Sequence, residues 1–237
     1  LLLKSCLDSN PETLSAAYLN GWPDDPTAFD NADTILFFMD GGEGNPIVQG
    51  DRLQQLGERM NAGVGLVVLH YAVEVPKNRG GAEFLEWIGG YYERPFSTNP
   101  MWTAEFKQIP EHPVTRGLQP FTLDDEWYFN MRFRPEMKGV APLLIATPPD
   151  EVRGTEAAKA HPGRPEIVAW CAERENGGRG FGFTGGHYHE NWGNTNYRTL
   201  ILNAIYWTAH LEVPPNGVPS SITPEFLEQN LDDKRQR

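Results

Sequence analysis

Two histidines stand in the same kind of place, each directly behind a short apolar run: His70 closes GVGLVVLHYAV and His187 follows RGFGFTGG. His189 and Glu190 come close behind the second, and Asp124-Asp125-Glu126 supplies a carboxylate, Glu126, that could join the imidazoles. Two neutral imidazoles and one carboxylate suit a divalent cation such as Zn2+, which makes His70 and His187 candidate metal ligands. The same groups without metal suit acid-base work, since a histidine near pKa 6.5 and a buried carboxyl together move protons on a hydroxyl or carbonyl substrate. No HExxH spacing links them, so convergence depends wholly on the fold. Taken singly, His70 is equally well read as a core histidine bonded to a carbonyl, and Glu126 as a solvated turn acid. His112 precedes Pro113 in a turn, His161 lies in a polar segment, and His210 ends the last helix, where its charge would complement the macrodipole. None of these three is assigned to catalysis.

Aromatic residues crowd the same stretches: Tyr71, Tyr92, Trp127, Tyr128, Tyr188 and Trp192. Each alone is a packing residue, but together with the histidine loops they suit the apolar faces of a sugar or polyol. Substrate contacts are therefore expected from Tyr71, Trp127, Tyr128, His189 and Trp192, with Asp40 and Glu43 as carboxylates at the edge of the site. Those two acids flank a glycine-rich turn, DGGEG, which lacks both the GxGxxG spacing and a Walker lysine and so reads as turn chemistry rather than a phosphate cradle.

The elements that must position these residues read as α/β. Residues 64–69 are apolar without alternation, the pattern of a parallel strand covered on both faces. Ligands of such sheets sit beyond the carboxyl ends of the strands, where His70 falls. Residues 34–39 form the preceding strand, and Leu53, Leu56 and Met60 give helical spacing across 51–61, completing a right-handed βαβ unit. A short helix is expected over 81–88. Trp102, Ala104 and Phe106 alternate with polar residues, which predicts an antiparallel extension of the sheet paired with 121–133. Short strands follow at 143–146, 167–170 and 181–184, with a mobile polar segment at 148–164 and a hairpin turn at 177–180. Tyr197, Leu200, Ile201, Ala204, Ile205 and Thr208 mark an amphipathic helix capped by Asn194 or Thr195. At the start, residues 1–8 suggest a helix and 14–19 an edge strand, with a loop over 21–33.

The 237 residues suit one α/β domain, residues 1–211, and a surface-hugging tail, 212–237, rich in Pro, Gly, Ser and charge. A net charge of -12 and the lack of a basic stripe argue against nucleic acid as a partner. No apolar run approaches the ~20 residues of a membrane span. Cys6 and Cys171 fall outside any CxxC spacing, so neither a disulfide framework nor a thiolate zinc site is indicated. The opening LLLKSC reads as the interior of a first helix, with an upstream strand expected before it, and leaves a cytoplasmic or periplasmic location open.

GLVVLHYAV, FLEWIGGYY, EHPVTRG, DDEWY and RGFGFTGGHYHENW occur in the order seen in ThuA-like (trehalose utilization) proteins, and the chain resembles that family from about Thr34 to its tail. LEVPPNGVPS is similar to the planctomycete-type version of the domain. The resemblance implies a flavodoxin-like, doubly wound, mostly parallel sheet of the class I glutamine amidotransferase-like superfamily. It also implies a role in sugar metabolism, on keto-sugar glycosides, as a hydrolase, isomerase or lyase. A non-catalytic carbohydrate-binding or scaffolding domain is the alternative, and a degenerate amidotransferase the second. By the same resemblance His70 stands at the elbow where amidotransferases carry their nucleophilic cysteine, and His187 near their catalytic histidine. With neither cysteine at the elbow, thiolate chemistry is not expected. Relatives open with a further strand and a histidine-containing loop that this sequence does not contain.

Overall fold

The chain is described by a computed structural model over residues 1–19 and 21–229. In chain order it forms α1 (Leu2–Asp8), β1 (Thr34–Phe38), α2 (Arg52–Asn61), β2 (Gly65–Leu69), α3 (Gly81–Trp87), β3 (Gly90–Tyr91), β4 (Met101–Phe106) and β5 (Phe121–Glu126). Then come β6 (Arg132–Phe133), β7 (Val140–Ala146), α4 (Glu156–Lys159), β8 (Glu166–Glu173), β9 (Arg179–Phe183), α5 (Thr195–Thr208) and α6 (Pro224–Leu227). The main sheet has the order β1-β2-β9-β8-β7. β1, β2 and β9 are parallel, and β8 runs against both β9 and β7, so four of the five strands share one direction.

β2 is buried along its whole length, as its unbroken apolar run requires. Its side chains alternate between two cores, Val67 and Leu69 facing α5, Leu66 and Val68 facing α2 and α3. Burying each of these side chains stabilises the fold by about 1.5–3 kcal/mol. Register then fixes the site edge. Phe38 pairs with Leu69 and Leu69 with Phe183, so the chain leaves β1, β2 and β9 at one common rim.

Several expectations are corrected. Residues 14–19 form no strand, and Leu14 is fully exposed. β4 and β5 pair as expected, but as a separate two-stranded ribbon rather than as an extension of the main sheet, while β6 pairs with β3. The alternation in β4 arises because one face of that ribbon packs Trp102, Ala104 and Phe106 into the α5-side core. Segment 148–164 is tied down: the buried Arg153 guanidinium bonds the Glu166 carboxylate at 2.8 Å and the Arg164 carbonyl at 2.7 Å. α5, capped by Asn194, is buried all round rather than amphipathic. The chain beyond it covers its outer side, with Val213 and Val218 in the core and Asn203 holding the Val114 and Arg116 carbonyls. His210 has a left-handed backbone (φ 61°), and desolvation, with Arg179 and Arg174 nearby, pushes its pKa down.

Candidate functional site

His70 begins the 3-10 turn that follows β2 and has φ 53°, a left-handed conformation that costs a non-glycine residue about 1–3 kcal/mol. Its Nδ1 lies 2.9 Å from the Thr184 carbonyl oxygen. A carbonyl only accepts, so Nδ1 carries the proton and Nε2 presents its lone pair inward. Burial is the main cause of a lowered pKa, against which the Thr184 bond and the Glu126 and Asp125 charges act. Unfolded, the imidazole titrates near ~6.5, so on acidification the unfolded chain takes up this proton first. The contribution to stability is complete above about pH 6.5 and is lost as pH falls through the lower folded value. The urea midpoint should therefore drop between pH 7.5 and 5.5, and drop less in His70→Asn, a residue that tolerates the left-handed backbone. An unchanged slope would mean that His70 is not held neutral by the fold.

The second histidine is delivered by a buried anchor. Asp125 is fully buried, and its Oδ1 accepts from the backbone N–H of His187 (2.9 Å), Tyr188 (3.2 Å) and Glu126 (2.8 Å). Its Oδ2 accepts from Gly186 N–H (2.9 Å), Asn191 Nδ2 (3.0 Å) and Tyr197 OH (3.4 Å). Three successive amides of the loop after β9 thus close on one carboxylate at the end of β5. The loop approaches closely because it is glycine: a Cβ on Gly186 (φ 140°) would lie 2.7 Å from His70 Cβ, and one on Gly185 2.5 Å from the Trp127 ring.

Glu126, the next residue, turns the other way. Its Oε1 accepts from Asn99 Nδ2 at 2.9 Å. Its Oε2 lies 3.1 Å from His187 Nδ1, 3.4 Å from His70 Nε2 and 3.3 Å from Tyr128 OH. Burial, and then the Glu126 charge, push the Tyr128 pKa far up, so its hydroxyl stays a donor. One ligand atom from each of His70, Glu126 and His187 lies within 4.8 Å of the others. Ligands ~2.0–2.1 Å from a tetrahedral Zn2+ stand about 3.3 Å apart, so this donor set fits such an ion with modest closure.

The remaining predicted residues divide. Tyr128 is part of the centre. Tyr71 is half-buried, and its ring and carbonyl fill the space a side chain at Gly41 would need, which explains the DGGEG turn. Asp40 is exposed just beyond β1, and Glu43 pairs with Arg79 at 2.7 Å. Trp127 is fully buried against Phe106, Phe183 and Tyr197, with no face left for a ligand. His189 Nε2 bonds the Leu227 carbonyl oxygen at 2.6 Å and so holds the tail. Trp192 is buried with its ring between Phe38 and Tyr197. Asp125, Asn99 and the Thr184 carbonyl are site-forming groups not foreseen from the sequence.

The chain has known counterparts. The sequence model of ThuA, described as trehalose utilisation, matches residues 24–208. The chain belongs to the ThuA family. A solved structure described as a thua-like protein from Parabacteroides merdae ATCC 43184 superposes with TM-score 0.62 at 17% identity, covering 95% of this chain and 87% of its own. Another, from Bacteroides uniformis ATCC 8492, gives TM-score 0.53 at 19% identity, covering 74% and 69%. At these identities both speak for the shared flavodoxin-like fold alone. No curated protein matches the sequence. Family membership carries a role in carbohydrate utilisation at the level of the family. Among the described residues of this ThuA chain, no helix is long and apolar enough to cross a membrane.

Proposed function

We propose that this ThuA domain binds one divalent cation, Zn2+ by ligand type, on His70 Nε2, Glu126 Oε2 and His187 Nδ1, and acts there on a carbohydrate or related polyol. The observation carrying this reading is the convergence of the three ligand atoms within 4.8 Å at the strand-end rim. Two of the side chains are oriented from behind, His70 by Thr184 and Glu126 by Asn99, as metal ligands commonly are. When bound, the ion would polarise a hydroxyl or carbonyl oxygen and acidify a coordinated water. The Tyr128 hydroxyl donates a hydrogen bond beside it, and the His187 side chain, 41% exposed, leaves the centre open to a ligand. Carbohydrate as the substrate class rests on the family description, and hydrolysis, isomerisation and elimination all suit the groups present.

A cation binds imidazole nitrogen only through its free lone pair, so protons compete with it and binding should strengthen with pH. Calorimetric titration of the metal-free protein with Zn2+ should give one ion per chain, with affinity rising from pH 6 to 8. His187→Ala, at an exposed position, should weaken it by about 10–100-fold. Sub-stoichiometric or millimolar binding by the wild type would overturn the metal reading. Carbohydrate turnover persisting without metal would then assign the same residues to acid-base work.

A further inference from the structure

We propose that Asn99, held by Tyr92 behind it, is a positioning residue that decides which oxygen of Glu126 faces the two imidazoles. The inference rests on the cation-centre reading above and extends it to a residue outside the ligand set. Asn99 is exposed, yet its side chain is engaged at both ends. Nδ2 donates to Glu126 Oε1 at 2.9 Å, and Oδ1 accepts from Tyr92 OH at 3.1 Å. The carboxylate, which only accepts, fixes the sense of the amide, since a flipped Asn99 would turn its oxygen to Glu126 and exchange attraction for repulsion, and the Tyr92 hydroxyl holds the other end in place. With Oε1 so occupied, Oε2 is the oxygen left for His70 and His187.

The backbone places Asn99 for this task. Thr98 and Phe129 exchange both hydrogen bonds of an antiparallel bridge, at 3.1 and 2.9 Å, and Met101 pairs with Glu126 at the end of the ribbon. Asn99 therefore sits between two fixed pairings, at the register position opposite Tyr128 and one same-face step from the Glu126 it holds. Tyr92 is fixed in turn by its amide on the Val73 carbonyl (3.0 Å) and by its ring against Tyr128, with centroids 5.3 Å apart. Burial and the neighbouring Glu74 push its pKa up to about 12, which keeps the hydroxyl protonated and donating.

Two measurements test the inference, Zn2+ titration of Asn99→Ala, Asn99→Asp and Tyr92→Phe, and crystal structures of the metal-free wild type and Asn99→Ala. Asn99→Ala should bind Zn2+ about 10–100-fold more weakly, with Tyr92→Phe intermediate. Asn99→Asp keeps the size but replaces the donating NH2 by an acceptor facing Oε1, so it should weaken Zn2+ binding at least as much as Asn99→Ala while leaving the urea midpoint unchanged. A merely structural residue would tolerate that isosteric change. In the metal-free Asn99→Ala crystal, Oε2 should leave the imidazoles. If Glu126 stays in place and Asn99→Ala binds Zn2+ within twofold of wild type, the positioning role is overturned and the centre stands. If the wild type binds no Zn2+ but Glu126 swings away in Asn99→Ala, the positioning role stands and the centre reading fails.

Discussion

Asp125→Ala is expected to destabilise the fold by about 3–5 kcal/mol, the range for leaving buried partners of a charged group unmatched. Alanine would strand the Gly186 amide and the Tyr197 hydroxyl and take one of the two bonds of the Asn191 side-chain NH2, all of which meet Asp125 out of reach of water. Cooperative unfolding in urea measures the loss. The loss should come with a defect at the centre, because the amides of residues 186–188 are held to β5 by this one carboxylate. His187 would then no longer be delivered to Glu126, and Zn2+ affinity should fall even where the variant is fully folded. Asp125→Asn makes the sharper comparison. Its amide oxygen can serve one set of donors, but its NH2 must face the other, so the shape is kept while at least two bonds turn repulsive. A cost under 1 kcal/mol in Asp125→Asn would show that the loop is held by packing rather than by the buried charge.

Why Asp125 escaped a sequence reading while Glu126 did not is a matter of parity. Both belong to an acidic triplet that composition reads as solvated. Strand alternation separates them, since Asp125 shares its inward face with Phe121 and Leu123, whereas Glu126 turns outward to the rim. The same parity carries inward to Trp127, whose ring went to the core rather than to a ligand. β1, α2 and β2 were legible because local apolar spacing alone specifies them, and β4 because its face alternates. That β9 lies beside β2 is a long-range pairing between segments more than a hundred residues apart, with no local signature. Strand-end histidines marked the rim, and the resemblance to ThuA placed them in one fold, but the contact between them is a product of that adjacency. α5 shows the converse failure. Its helical spacing was clear, yet its polar positions are buried, Asn203 because it bonds the chain packed over it and Thr208 because it meets the Thr34 hydroxyl at the start of β1, and sequence alone does not say what will cover a helix.

Glu126→Gln is expected to abolish measurable Zn2+ binding, a loss of at least about 100-fold, while changing stability by less than ~1 kcal/mol. The glutamine oxygen can still accept from Asn99 Nδ2, so the side chain keeps its pose. An NH2 group then replaces Oε2, within 3.1 Å of His187 Nδ1 and 3.4 Å of His70 Nε2. As a donor it faces the two imidazole nitrogens and fills the point where a cation would sit. The centre is thereby closed without being disrupted, which separates a ligand role from a structural one: a structural carboxylate would register in the urea midpoint, and a ligand registers in the titration. Were Glu126→Gln to bind Zn2+ within tenfold of wild type, the carboxylate would not be a ligand, and the two histidines alone would be too few protein ligands for the site proposed.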